Sequence, residues 1–226
     1  ASADQRRGRA GRTQSGICYR LWSEPETQGL VAFAEPEIKT ADLSGLLLDC
    51  AEWGASDPRS LNWLDPPPEG LIKAARDDLA AIGALDGKGH ITAMGRKLRA
   101  LPLPPRLARM ILAAAAEGQA EAAAMIAGVL VERGIGGNDP DLTVRLDAFR
   151  RDRSRRAQDM RRLAQGWATR AVANADTPPA SPMSTAAVLA LAFPDRIAKA
   201  RGAGGQFLLA NGRAGSIDAG SHLARA

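Results

Sequence analysis

The chain has 226 residues, a formal net charge of +5 and a sequence pI of about 9.8, with 45% hydrophobic, 24% charged and 4% aromatic residues. This is a globular and not a disordered composition, and many alanines with few aromatics favour packed helices over a β sandwich, so the expected fold is mainly α. No stretch reaches the ~20 apolar residues of a membrane span, and Cys18, Cys50, His90 and His222 lack metal-ligand spacing. A cytoplasmic protein with no metal site and no membrane partner is expected, with both cysteines as buried free thiols.

Residues 5–13, QRRGRAGRT, read as a basic loop leading into a short strand over 15–22, where Ile17, Tyr19 and Leu21 alternate. Residues 24–36 hold two prolines and several polar residues and read as a linker. From Thr40 the pattern is helical, with Leu43, Leu46, Leu47, Cys50 and Trp53 on one face and Gly54 placed to end the helix. Asp65 and Pro66 suit the cap and first position of a second helix, whose stripe is Leu71, Ile72, Ala75, Leu79 and Ile82 before Gly83. Residues 85–91 predict a small hairpin turning at Asp86-Gly87, and Thr92 suits the cap of a short helix bearing Met94 and Leu98. Helices followed by a two-stranded wing predict a winged helix.

Pro102, Pro104 and Pro105 separate that unit from a helical bundle. Its first helix carries Leu107, Met110, Ile111 and Ala114 up to Gly118; an alanine-rich helix follows over 119–133, then a loop over 134–140. One long helix carries Leu146, Phe149, Met160, Leu163 and Trp167, interrupted by arginines, and Trp53, Trp63 and Trp167 are expected in the core. A loop over 174–182 precedes a helix with Val188, Leu189 and Leu191 that ends near Pro194. Residues 207–210 followed by Asn211-Gly212 read as a strand and a hairpin turn whose partner strand gives no clear signal.

Two basic clusters carry the candidate chemistry. The first is Gln5-Arg6-x-Gly8-Arg9-x-Gly11-Arg12, a flexible backbone with several guanidinium groups, each able to grip phosphate oxygens through paired hydrogen bonds. The second lies between Arg145 and Arg170, where nine arginines against three aspartates give a local +6 and leave −1 for the rest of the chain. There Arg151, Arg155 and Arg162 are expected near one helix face with Arg156 beside it. They are candidates for backbone contact with single-stranded nucleic acid, with a solvated helix face as the alternative.

The spacing of the first cluster resembles the sixth conserved motif of superfamily-two helicases in its DEAH form. The same family is similar through SGICYRLW at 15–22, PEIKTADLSGLLLDCAEWG at 36–54, LNWLDPPPEGLIKAARDDLAAIGALD at 61–86 and ITAMGRKLRALPLPPRLARMIL at 91–112. FPDRIAKARGAGGQFLLANGRAGSI at 193–217 resembles the bacterial HrpB branch. The resemblance implies four parts. They are the end of a second RecA-like α/β domain over 1–36, a winged helix over 37–101, a ratchet-like helical bundle over 102–193 and the start of an HrpB-type C-terminal region over 194–226.

By the same resemblance Gln5 contacts the γ-phosphate of ATP or its attacking water, and Arg9 and Arg12 are arginine fingers. Gly8 and Gly11 serve close backbone approach or plain turns, Arg6 is an ion-pairing residue, and Arg7 is solvated. A GxxxxGK[ST] loop and an acidic motif for Mg²⁺ are absent from the sequence, and Asp86-Gly87-Lys88-Gly89 reads as a turn and not a phosphate loop. Both ends read as cut, so the chain is expected to be a piece of an ATP- and Mg²⁺-dependent helicase acting on single-stranded nucleic acid, RNA by preference. Its partners are then the N-terminal RecA-like domains of the same polypeptide, and alone it is expected to be inactive. The competing reading is a non-enzymatic winged-helix module or regulator that places a helix in a duplex groove.

Overall fold

In the computed structural model the described residues are 2–173, 183–202 and 204–225. The loop expected over 174–182 lies outside them. The fold is mainly helical, with one small three-stranded sheet near the end of the chain.

Residues 2–36 bury no side chain. The expected basic loop is a helix, α1 (Ser2–Arg9), followed by a turn. The expected strand over 15–22 does not form, and Ile17, Tyr19 and Leu21 are 79%, 81% and 94% exposed. A strand needs a neighbour to receive its N–H and C=O groups; the period-2 pattern is present, and among the described residues no strand pairs with it. Inside the expected linker a single turn, α2 (Glu24–Gln28), is closed by a capping box in which Glu26 accepts from the Ser23 N–H at 2.6 Å. Cys18, expected buried, is exposed with this segment, whereas Cys50 is buried and its thiol is pushed up by desolvation.

A 3₁₀ turn (Glu37–Lys39) precedes α3 (Ser44–Glu52), whose first N–H, that of Ser44, donates to Asp42 at 2.8 Å. Leu43, Leu47, Leu48 and Cys50 are buried. Gly54 at φ 87° lets Ala55 and Gly54 donate back to the carbonyls of Cys50 and Ala51, a Schellman closure. That closure stops the helix one residue before Trp53 would join its stripe, so Trp53 is 87% exposed and not in the core.

The second helix, α4 (Glu69–Ala81), begins later than Asp65-Pro66 predicted. Pro68 is its cap, and Asp65 instead pairs with Lys39 at 3.7 Å. The wing shrinks to one bridge, Leu85 to Ile91, with Gly89 and not Gly87 supplying the positive φ. Asp86 closes this turn by accepting from Lys88 N and His90 N at 2.8 Å each. Thr92 does cap α5 (Ala93–Arg99), accepting from Gly95 N at 3.0 Å.

The bundle comprises α6 (Pro105–Ala116), α7 (Ala120–Val131), α8 (Leu142–Arg151), α9 (Arg155–Val172) and α10 (Thr185–Ala192). The single long helix expected to carry Leu146, Phe149, Met160, Leu163 and Trp167 is two helices. Ser154 takes an extended conformation and accepts from Ala157 N, so the chain turns there and starts a new helix. Phe149, Met110, Ile111, Ile126 and Val188 are fully buried, while Leu163, expected in the stripe, is 53% exposed. Among the described residues one core cluster takes in side chains from Leu43 to Ala192.

A 3₁₀ turn (Pro194–Arg196) leads to β1 (Ala198–Ala200), β2 (Gln206–Leu209) and β3 (Ala214–Ser216), antiparallel in the order β1-β2-β3. The hairpin at Asn211-Gly212 is as expected, and both neighbours that the sequence left unassigned are present. Among the described residues no helix is long and apolar enough to cross a membrane.

Candidate functional site

Helix α1 places Gln5 and Arg9 one turn apart on one face, and Arg12 follows in the turn beyond. All three are exposed, and among the described residues no acid lies within ion-pair distance of Arg6, Arg9 or Arg12. Arg6 therefore has no ion-pair partner here, contrary to expectation, and Arg7, expected solvated, reaches Asp4 at 3.8 Å. Asp4 is gripped more closely by Arg20 at 2.7 Å, which ties the segment after the motif back to α1. Cβ atoms added at Gly8 or Gly11 would meet nothing within 4 Å, so this chain places no close neighbour against either.

The arginines of α8 and α9 divide by what they touch. Arg145 donates to the Val129 carbonyl at 2.8 Å. Arg161 donates to the Phe149 and Asp152 carbonyls at 2.6 and 2.8 Å, stitching the break between the two helices. Arg156 pairs with Glu132 of α7 and also donates to the Arg133 carbonyl; Arg162 pairs with Asp159. Arg151 lies on α8, its Nε donating to the Asp147 carbonyl at 3.2 Å, so the expected single face is split between two helices. Arg151 and Arg155 are exposed and have no carboxylate within ion-pair distance among the described residues.

Arg153 shares that state and sits at the break itself, between the two helices. Sequence reasoning passed over it because a continuous helix points Arg153 away from Arg155; only the Asp152-Arg153-Ser154 turn signal marks it. Arg155 and Arg156 line a shallow 400 Å³ recess with Glu132, Asp159, Met160 and Leu163. Its charged lining is balanced, two arginines against two carboxylates, and Arg156 is already paired with Glu132. Trp167 is in the core at 5% exposure, and Trp63 is half-buried with its Nε1 donating to the Pro58 carbonyl at 2.7 Å.

No group of three His, Cys, Asp or Glu side chains among the described residues could hold a metal ion. His90 faces Asp86 at 3.3 Å and His222 faces Asp141 at 2.7 Å, each in a two-residue contact.

A helicase-associated domain (HA2) winged-helix model matches residues 75–103, covering the end of α4, the bridge and α5. "ATP-dependent RNA helicase HrpB" of Escherichia coli is 40% identical over 225 residues, which is 100% of this chain and 26% of that protein. A mouse protein named probable ATP-dependent RNA helicase DHX34 is 35% identical over 58% of this chain and 11% of its own length. A crystal structure of the Escherichia coli DEAH/RHA helicase HrpB superposes with a TM-score of 0.75 at 40% identity, covering 99% of this chain and 27% of that one. The chain thus spans about a quarter of the HrpB relatives it matches. Similar to HrpB along its whole length and carrying the helicase-associated winged helix, the chain belongs to the DEAH-type helicase family in its HrpB branch.

Proposed function

We propose that the chain is the part of an ATP-dependent RNA helicase that carries the arginine fingers and the accessory units gripping the strand. The observation that carries this reading is the 40% identity to HrpB over the whole chain, together with the exposure of Gln5, Arg9 and Arg12 beside no neutralising acid. Phosphoryl transfer needs positive groups around the γ-phosphate as charge redistributes, and an arginine reaching it from a second domain lowers the barrier electrostatically. Arg9 and Arg12 suit that role; Gln5, one turn before Arg9, suits the attacking water or a γ-oxygen.

The described residues hold no acidic cluster for Mg²⁺. In this reading the remaining RecA-like parts of the polypeptide therefore supply the metal and the phosphate loop, and this chain alone does not turn over ATP. Residues 2–36, with Ile17, Tyr19 and Leu21 exposed, complete the second RecA-like domain when that sheet is present. Residues 37–101 and 102–193 act as winged helix and ratchet-like bundle, and Arg151, Arg155, Arg156 and Arg162 face the strand from the bundle.

The test is RNA-stimulated ATP hydrolysis by the longer polypeptide. Arg9→Ala or Arg12→Ala is expected to lower kcat by about 10³-fold or more, the scale of a lost arginine finger. The unaltered 226-residue chain should match a no-protein control. Near-normal turnover in both variants removes the motif from the active site, and turnover by the chain alone refutes the division of labour.

A further inference from the structure

Arg106 occupies the second position of α6, where the positive end of the helix dipole disfavours a cation. It is kept there by carboxylates on both sides. Arg106 donates to Asp78 of α4 at 2.7 and 3.3 Å, and to Asp195 of the 3₁₀ turn after α10 at 2.7 Å. Its guanidinium also reaches the Ala192 carbonyl at 3.4 Å and lies 5.9 Å from the Phe193 ring. One side chain, 21% exposed, thus joins α4, α6 and the start of the sheet segment.

Among the described residues of the sheet segment, 194–202 and 204–225, none joins the hydrophobic core, which ends at Ala192. Strand β1 is exposed throughout, and Ile197 is 58% exposed. Near its far end His222 Nε2 meets Asp141 Oδ2 at 2.7 Å, and Asp141 is the residue that caps α8. Between the two contacts the segment is held together by its own ladder, with Ala210 N donating to Ile197 O and Ile217 N to Gly205 O. Arg196, Ile197 and Ala198 form one wall of a 1120 Å³ groove whose other walls include Leu107, Leu130, Trp167 and Leu189.

We propose that residues 194–202 and 204–225 belong to a hinged arm, latched to the bundle by the Arg106–Asp195 and His222–Asp141 contacts, and that releasing both latches opens the apolar groove. Each latch joins an aspartate to a nitrogen-bearing side chain at one end of the arm, Arg106 at its start and His222 near its far end, so the two together fix its angle as well as its attachment. Either alone leaves a pivot. This inference concerns the accessory region only and stands whether or not the chain serves a helicase.

The experiment follows Trp167, which lines the groove and is 5% exposed. In a chain carrying W22F, W53F and W63F it reports alone, and acrylamide quenching measures its access to solvent. Adding D195A and H222A removes both latches while leaving the Arg106–Asp78 pair and the Asp141 cap intact. The quenching constant is then expected to rise severalfold, with an unchanged far-UV circular dichroism spectrum, and each single variant to fall between. In the latched chain a rise in salt to about 1 M, where the Debye length is about 3 Å, should move the constant in the same direction. If the double variant loses helicity, the salt series in the latched chain decides alone. A quenching constant unmoved by salt and by both variants overturns the proposal and assigns the arm to apolar packing by Phe193 and its neighbours.

Discussion

Replacing Gly95 with alanine tests the closest approach in the winged-helix unit. In an ordinary helix interior the change stabilises by about 0.5–1 kcal/mol. At this position an added Cβ would lie 2.3 Å from the Ala84 carbonyl oxygen and 2.6 Å from Ile91 Cγ1. Reaching an ordinary separation of 3.4 Å requires α5 to retreat by the difference, 1.1 Å. That retreat pulls on Thr92, whose N–H donates to Ala84 O at 3.0 Å and whose hydroxyl donates to Gly83 O at 2.6 Å while capping Gly95. Overpacking costs about 1–3 kcal/mol and a weakened cap about 1 kcal/mol, so the net is about 1–3 kcal/mol destabilising. For a chain of this size that is a fall in Tm of roughly 3–10 °C. Gly166, exposed in the middle of α9 with nothing within 4 Å of an added Cβ, is the control and should gain about 1–3 °C on the same change. Both melts are followed by far-UV circular dichroism. A rise in both variants would refute the close approach of α5 to the bridge.

Changing Arg151, Arg155 and Arg162 together to glutamine should weaken single-strand binding equally for unrelated sequences. It should also reduce the log–log salt slope by roughly 0.7 for each phosphate that an arginine no longer neutralises. Because Arg162 is already paired with Asp159, most of the effect is expected from Arg151 and Arg155, and an unchanged slope would make these helices purely architectural. Asp57, held by hydrogen bonds from the Arg59 side chain and backbone, has its carboxyl lowered to about 2. Its folded value lies below the unfolded one, so its contribution is complete above pH ~4 and is lost as pH falls through about 2. A carboxyl ¹³C titration with its midpoint near the unperturbed value of about 4 would contradict this.

Features set by neighbours along the chain were legible. Gly54, Gly83 and Thr92 act where their local chemistry put them, because a positive φ or a hydroxyl cap depends on two or three adjacent residues. Trp53 misled because the helical wheel extends a stripe past the residue where the Schellman closure has already stopped the helix. The break at Ser154 was hidden by arginines, which fit a helix interior as well as its ends. Strand β1, Ala-Lys-Ala, carries no β-branched or aromatic residue, and only its pairing with β2 makes it a strand. The opposite case is 15–22, where the alternation is clear and no partner strand lies among the described residues. For the candidate site, sequence placed both basic clusters, whereas which arginines are already committed to Glu132, Asp159 or backbone carbonyls is a matter of tertiary structure.

Twelve of the buried residues in α6, α7, α9 and α10 are alanines, and Gly128 of α7 faces Met160 and Phe149 directly. Each of those alanine and glycine contacts has no rotamer to freeze, so ordering them costs no side-chain entropy. At those contacts nothing yields when strained. Backbones meet closely there, and the 18-residue α9 spans about 27 Å from Arg155 to Val172. The alanine contacts thus set the distance between the helices, while changes of chain direction fall at the turn at Ser154 and at the positive-φ glycines 134, 136 and 137.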